Sequence, residues 1–100
     1  MKFKGNTVSG VWTTATLSQA RWDLAAAATG TKVMFGGGFS ISAVVDIYDT
    51  VSGVWATTTL SVARYGLAAA ATGTKLLFGG GVGGSTSRIV DICMNVSAAK

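Results

Sequence analysis

Short apolar runs alternate along the chain with clusters of glycine, serine, threonine and aspartate. Runs at 24–28, 32–35, 44–48 and 54–60 are separated by Thr-Gly-Thr, by Gly-Gly-Gly with a short loop, and by Asp-Thr-Val-Ser-Gly. Runs this short, bounded by turn-forming residues and rich in valine, isoleucine, threonine and aromatics, are typical of β-strands. The pattern therefore predicts four short strands in succession, joined by tight links.

The same pattern occurs twice. Residues 8–38 and 51–81 are offset by 43 positions and are identical at 24 of 31 of them. The triplet Val45-Asp46-Ile47 returns 45 positions later as Val90-Asp91-Ile92, so the loop after the second glycine triplet is two residues longer. Insertions between repeats usually fall in surface loops. We expect two copies of one strand unit.

Two alanine tetrads, at 25–28 and 68–71, favour a helix on intrinsic propensity. Each tetrad is closed by Thr-Gly-Thr and lies inside a repeat with a strand pattern, and a helix of four residues would be marginal in water. Small side chains also suit strands that pack closely against one another. We therefore predict that both tetrads are strands.

Composition excludes several kinds of chemistry. The 100 residues include no histidine, no glutamate and one cysteine, Cys93, so zinc, copper or other cofactor sites are not expected. Asp46 and Asp91 belong to different repeats, and no carboxylate pair suggests hydrolysis. The Gly-x-Gly-x-x-Gly at 79–84 is followed by a predicted strand, whereas a dinucleotide site needs a helix there. The sequence predicts a protein that is not an enzyme.

Charge and hydropathy indicate no nucleic-acid or membrane partner. The net charge of +4 comes from scattered lysines and arginines, without the basic run that nucleic acid requires. No apolar stretch resembles a signal peptide or a transmembrane helix. The chain is expected to be soluble, with a cytoplasmic location by default.

One set of repeated residues resembles the kelch repeat. Gly37-Gly38, then Tyr48, then Trp55, then Ala63-Arg64 follow the order of that family, and Trp12, Arg21 and Gly80-Gly81 recur in the flanking copies. The resemblance implies an all-β fold of propeller blades, each with four antiparallel strands, in which these repeated positions are structural. The period is shorter than the usual kelch period, and Cys93 stands where Tyr48 stands in the other copy.

The order of the strands predicts how the chain of 1–100 completes a propeller. Residues 21–60 hold a complete blade, 64–95 hold three inner strands of a second blade, and 7–17 supply an outer strand for that split blade. Propellers take about four to eight blades. We expect identical chains to close a ring, with six blades from three chains favoured over dimers or tetramers. The alternative is a designed or excised fragment.

One face of the predicted blades gathers arginine and aromatic residues. The links before the first strand and between the second and third strands emerge on the same side, and they carry Arg21, Trp22, Phe39, Arg64, Tyr65 and Arg88. Arginine and aromatic side chains are common at binding hot spots, although repetition favours a structural role for Arg21 and Arg64. We expect a scaffold that binds protein or peptide partners there. The alternatives are a lectin that binds glycans through Trp22 and Tyr65, or a piece without a ligand.

Overall fold

The computed structural model describes residues 10–39 and 41–94. These residues form strands and no helix. The strands are β1 (Ala25–Thr29), β2 (Lys32–Gly36), β3 (Val44–Asp49), β4 (Trp55–Thr59), β5 (Ala68–Thr72), β6 (Lys75–Gly79) and β7 (Val90–Cys93). The predicted all-β fold is confirmed, and both alanine tetrads lie in strands.

The strands form two antiparallel sheets in chain order. Sheet 1 has the order β1-β2-β3-β4, and sheet 2 has the order β5-β6-β7. The registers of the first hairpins match, because Thr29 lies opposite Lys32 in sheet 1 and Thr72 lies opposite Lys75 in sheet 2. The repeat in sequence is therefore a repeat in structure. Two such sheets are compatible with propeller blades.

Glycine makes the hairpin turn of each repeat. Gly30 and Gly73 have φ angles of 57° and 51°, a region that side chains disfavour and glycine adopts freely. Each is the first of the two residues between the paired strands, a position where hairpin turns require positive φ. The sequence Thr-Gly-Thr thus marks a hairpin turn because its glycine adopts the positive φ angle that the turn requires.

The turn between β3 and β4 is held by a carboxylate. The Oδ1 atom of Asp49 accepts hydrogen bonds from the N–H groups of Val51 at 2.9 Å and Ser52 at 3.2 Å. The Lys32 ammonium lies 3.4 Å from Oδ2. These N–H groups, and to a lesser extent Lys32, hold the pKa of the Asp49 carboxyl below its ordinary value.

We predict that Asp49 titrates below the pKa of an unfolded aspartate, about 3.9. A lowered pKa means that the folded turn favours the charged form, so its stabilisation is complete above the unfolded pKa and is lost as the pH falls through the folded pKa. NMR titration of the side-chain carboxyl measures the midpoint. The variant Lys32→Gln should raise it only slightly, and a midpoint at the unfolded value would contradict the hydrogen-bonded turn.

The two sheets pack face to face through their alanine strands, β1 against β5. Seven buried side chains form the core, contributed by both sheets and the link between them: Ala25, Met34, Val45, Leu60, Leu67, Leu76 and Phe78. The contact is close where the Phe78 ring covers Gly36, since a Cβ on that glycine would lie 2.8 Å from Phe78 Cε1. The absence of a side chain at Gly36 in sheet 1 thus lets the Phe78 ring of sheet 2 pack directly against the backbone.

Each sheet has two distinct faces. We call one the Phe face, because it carries Phe35 in sheet 1 or Phe78 in sheet 2; the other is the Gly face, with Gly36 or Gly79. Residues directly opposite in an antiparallel register share a face, and neighbours along a strand alternate. The Phe face of sheet 2 therefore packs on the Gly face of sheet 1.

The segment predicted to supply an outer strand is not a strand in the single chain. Residues 10–17 have no strand conformation, and Trp12 is 90% exposed. Residues 7–9 lie outside the described part, as does Asn95 at the end of the predicted 64–95 unit. The predicted role of 7–17 requires a second chain, so it stays a prediction. The four strands of sheet 1 all fall within 21–60.

Candidate binding surface

Three aromatic rings form a row where the links of the two repeats meet. The Trp22 and Phe39 ring centroids are 4.8 Å apart, and the Phe39 and Tyr65 centroids are 5.0 Å apart in an edge-to-face arrangement. Trp22 is 62% exposed, while Phe39 and Tyr65 are half-buried. The row therefore crosses from one repeat to the other and presents the indole to solvent.

Backbone hydrogen bonds fix the row. Phe39 N–H donates to the Trp22 carbonyl at 2.7 Å, and Tyr65 exchanges two hydrogen bonds with Val82, the equivalent of Phe39 in the second repeat. Gly38 N–H donates to the Arg64 carbonyl at 2.7 Å and so ties the two repeats together. Because hydrogen bonds hold the backbone at these positions, this part of the chain loses little conformational entropy when a ligand binds.

The glycine pairs of the kelch-like pattern, Gly37-Gly38 and Gly80-Gly81, lie where these links approach each other. Gly37 has a φ of 73°, and a Cβ there would lie 2.7 Å from the Arg64 carbonyl oxygen. A Cβ on Gly81 would lie 2.7 Å from the Tyr65 carbonyl oxygen, while Gly80 has a φ of 75° with more open space around it. The links can approach each other this closely because these positions lack side chains.

Arg21, predicted as a ligand-binding residue, is instead directed into sheet 1. Its side chain is 1% exposed and forms an ion pair with Asp46, whose side chain is 3% exposed. The guanidinium also donates to the carbonyls of Gly37 at 2.6 Å and Val44 at 2.8 Å. This pair closes the end of the sheet, so the Arg21 side chain lies inside the sheet, as a structural role requires, and not on the predicted binding face.

Arg64 is likewise absent from the predicted binding face, because it is fully buried in sheet 2. Its Nη2 donates to Asp91 Oδ2 at 3.0 Å and to the Phe78 carbonyl at 3.3 Å. Asp91 is 25% exposed, so this copy of the pair is less enclosed than the first. The Arg64 Nε and Nη1 atoms have no hydrogen-bond partner within 10–39 and 41–94.

Sequence reasoning missed the partners of the two arginines. The repeat makes Asp46 and Asp91 equivalent positions, but their distance along the chain does not show that they pair with Arg21 and Arg64. The signal was present, since an aspartate recurs within an apolar strand of each repeat, and an arginine recurs in the link before the first strand of each repeat. Buried charges are almost always paired, so that recurrence indicates an internal ion pair.

Arg88 lies on the surface, away from the aromatic row. It is exposed in the loop between β6 and β7 and lines an open depression of about 250 Å³. The other lining residues are Val62, Gly83, Ser85, Thr86, Ser87 and Ile89. None of the three rings contributes to it. Of the six residues predicted for the binding face, the structure brings together Trp22, Phe39 and Tyr65.

Three further aromatic residues, Phe35, Tyr48 and Trp55, lie on the Phe face of sheet 1. Trp55 is opposite Tyr48 in the register, and their ring centroids are 4.8 Å apart. The Phe35 ring is 6.4 Å from Trp55. Within the described single chain no other sheet covers this face, so the structural role that the kelch resemblance implies for Trp55 and Trp12 stays a prediction.

The described residues contain no group of three or more metal-ligating side chains, and no helix that could cross a bilayer. No family model matches the chain, and no curated protein matches it.

Proposed function

We propose that the chain is a kelch-like propeller unit that assembles with identical chains into a ring and binds peptide segments of other proteins at its aromatic row. The observation that carries the binding proposal is the row Trp22–Phe39–Tyr65, with its exposed indole. Aromatic side chains held in fixed positions supply much of the energy at binding hot spots. No catalytic role is proposed.

The packing of the two sheets supports a propeller. Blades of a propeller pack face to face around an axis, with their innermost strands closest together. Here β1 and β5 are the closest pair and consist mostly of alanine, as strands near an axis require. Because two sheets are too few to surround an axis, three chains and six blades are the proposed assembly.

The chemistry of the surface favours an apolar ligand. With Arg21 and Arg64 buried in ion pairs, the row presents aromatic carbon and not positive charge. The preferred partner is therefore a peptide with apolar side chains, and buried arginines offer no charge that would select an acidic one. The exposed Trp22 indole also suits the apolar face of a sugar ring, so a glycan is the second candidate.

Selection from a phage-displayed library of random peptides tests the proposal. We predict that Trp22→Ala and Tyr65→Ala each weaken binding of the selected peptides by about 2 kcal/mol, on the order of 30-fold. Val51→Ala is the matched control, because Val51 is an exposed apolar residue in a turn at the opposite end of sheet 1. Isothermal titration calorimetry measures each affinity.

The outcomes separate the candidates. Peptide binding that both ring variants reduce supports the proposal, whereas binding that neither variant changes contradicts the assignment of the row. Glycan-array binding that Trp22→Ala abolishes, without any selected peptide, indicates the lectin alternative. Light scattering tests the ring independently: the expected mass is three times the 10.1 kDa of one chain.

A further inference from the structure

Two complementary apolar faces are exposed at opposite sides of the paired sheets. On the Gly face of sheet 2, Val90 and Ile92 are 51% and 53% exposed beside Gly79. On the Phe face of sheet 1, the half-buried Phe35 lies near Trp55. Contiguous apolar surface of this kind marks an interaction site.

The contact inside the chain shows what fits these faces. Phe78, on the Phe face of sheet 2, covers Gly36 on the Gly face of sheet 1. Phe35 is the repeat equivalent of Phe78, and Gly79 is the equivalent of Gly36. The three atoms nearest to a Cβ added at Gly79 all belong to the Val90 side chain, the closest at 3.3 Å, and none belongs to an aromatic ring such as the one that covers Gly36.

We infer that a second copy of this chain docks its sheet 1 on sheet 2 of the first, with its Phe35 seated on Gly79 of that copy. The inference rests on the ring assembly proposed above and specifies its interface. The two faces differ, so the contact is head to tail and can continue around a closed ring.

The correspondence between the two repeats also predicts which residues of two neighbouring copies lie opposite each other in paired strands. Residues 11–17 align with 54–60, and β7 aligns with β3. In sheet 1, Trp55 lies opposite Tyr48. Paired in the same way, Trp12 of the docking copy lies opposite Cys93 of the first copy, at the free edge of β7.

Cysteine cross-linking tests this register, because Cys93 is the one cysteine in the sequence and is exposed. Directly opposed residues of antiparallel strands have Cα atoms about 4.5–5.5 Å apart, within the range of a disulfide. Trp12→Cys should form disulfide-linked multimers under mild oxidation. Thr13→Cys is the matched control, since its side chain points to the other face of the strand and should give no more than the unsubstituted chain.

Peptide mapping should place the disulfide between position 12 and Cys93 of different chains. A position 12 linkage within one chain, or equal cross-linking of the two variants, would overturn the interface. If the unsubstituted chain is multimeric but Trp12→Cys forms no multimers, the interface is wrong while ring assembly stands. If the unsubstituted chain keeps the mass of one chain at every concentration measured, both proposals fail.

A second variant tests the seat of Phe35. Gly79→Leu adds a side chain at this position, and the backbone allows it because Gly79 does not have a positive φ. We expect the chain concentration for half-assembly to rise at least about tenfold, with an unchanged circular-dichroism spectrum. Val51→Leu, in the exposed turn, should leave assembly unchanged. Assembly that Gly79→Leu does not weaken contradicts the Phe35 contact.

Discussion

Replacing Asp46 by asparagine should destabilise the fold by about 3–5 kcal/mol. The change removes one charge of an ion pair whose side chains are 1% and 3% exposed, and it leaves the Arg21 guanidinium buried without its counter-ion. Native domains have net stabilities of about 5–15 kcal/mol, so the loss is a large part of the total. Urea unfolding followed by tryptophan fluorescence measures it.

Asp23→Asn is the matched control for this experiment. It makes the same change in net charge, but Asp23 is exposed, and asparagine tolerates its positive φ of 59°. The control should remain within about 0.5 kcal/mol of the unsubstituted chain. Equal losses in the two variants would mean that the Arg21–Asp46 pair contributes nothing beyond net charge.

The strands of this protein could be predicted because residues that favour turns mark where each strand ends. Thr-Gly-Thr at 29–31 predicts a two-residue turn, and the glycine triplet at 36–38 ends β2. The alanine tetrads were the difficult case, since intrinsic propensity favours a helix. The surrounding residues favour a strand, because each tetrad is closed by Thr-Gly-Thr inside a strand pattern and a four-residue helix would be marginal.

The binding face was harder to predict, because a sequence shows which loop carries a side chain but not where the side chain points. Arg21 and Trp22 are adjacent, yet Arg21 is directed into the sheet toward Asp46 while Trp22 is exposed. The alternation of neighbours along an extended chain permits this difference. The long-range contact of Phe39 with Tyr65 depends on the packing of two repeats, which no local pattern encodes.

The largest effect in the apolar core is expected from Phe78→Ala. Phe78 is 3% exposed and covers Gly36, so its removal leaves a cavity between the sheets and should cost about 3–5 kcal/mol. Its repeat equivalent, Phe35, is half-buried on the uncovered Phe face. In single chains Phe35→Ala should cost about 1 kcal/mol, because the ring has less buried surface to lose.

The stability losses of Phe78→Ala and Phe35→Ala can also be compared at low and at high chain concentration. Where light scattering gives the mass of one chain, urea unfolding should show the unequal losses just described. Where chains are assembled, Phe35 becomes as enclosed as Phe78, so the two losses should converge, since assembly stabilises the state in which the interface is formed. Equal losses in single chains would contradict the exposed Phe face. A difference that persists in assembled chains would place Phe35 outside the interface between copies.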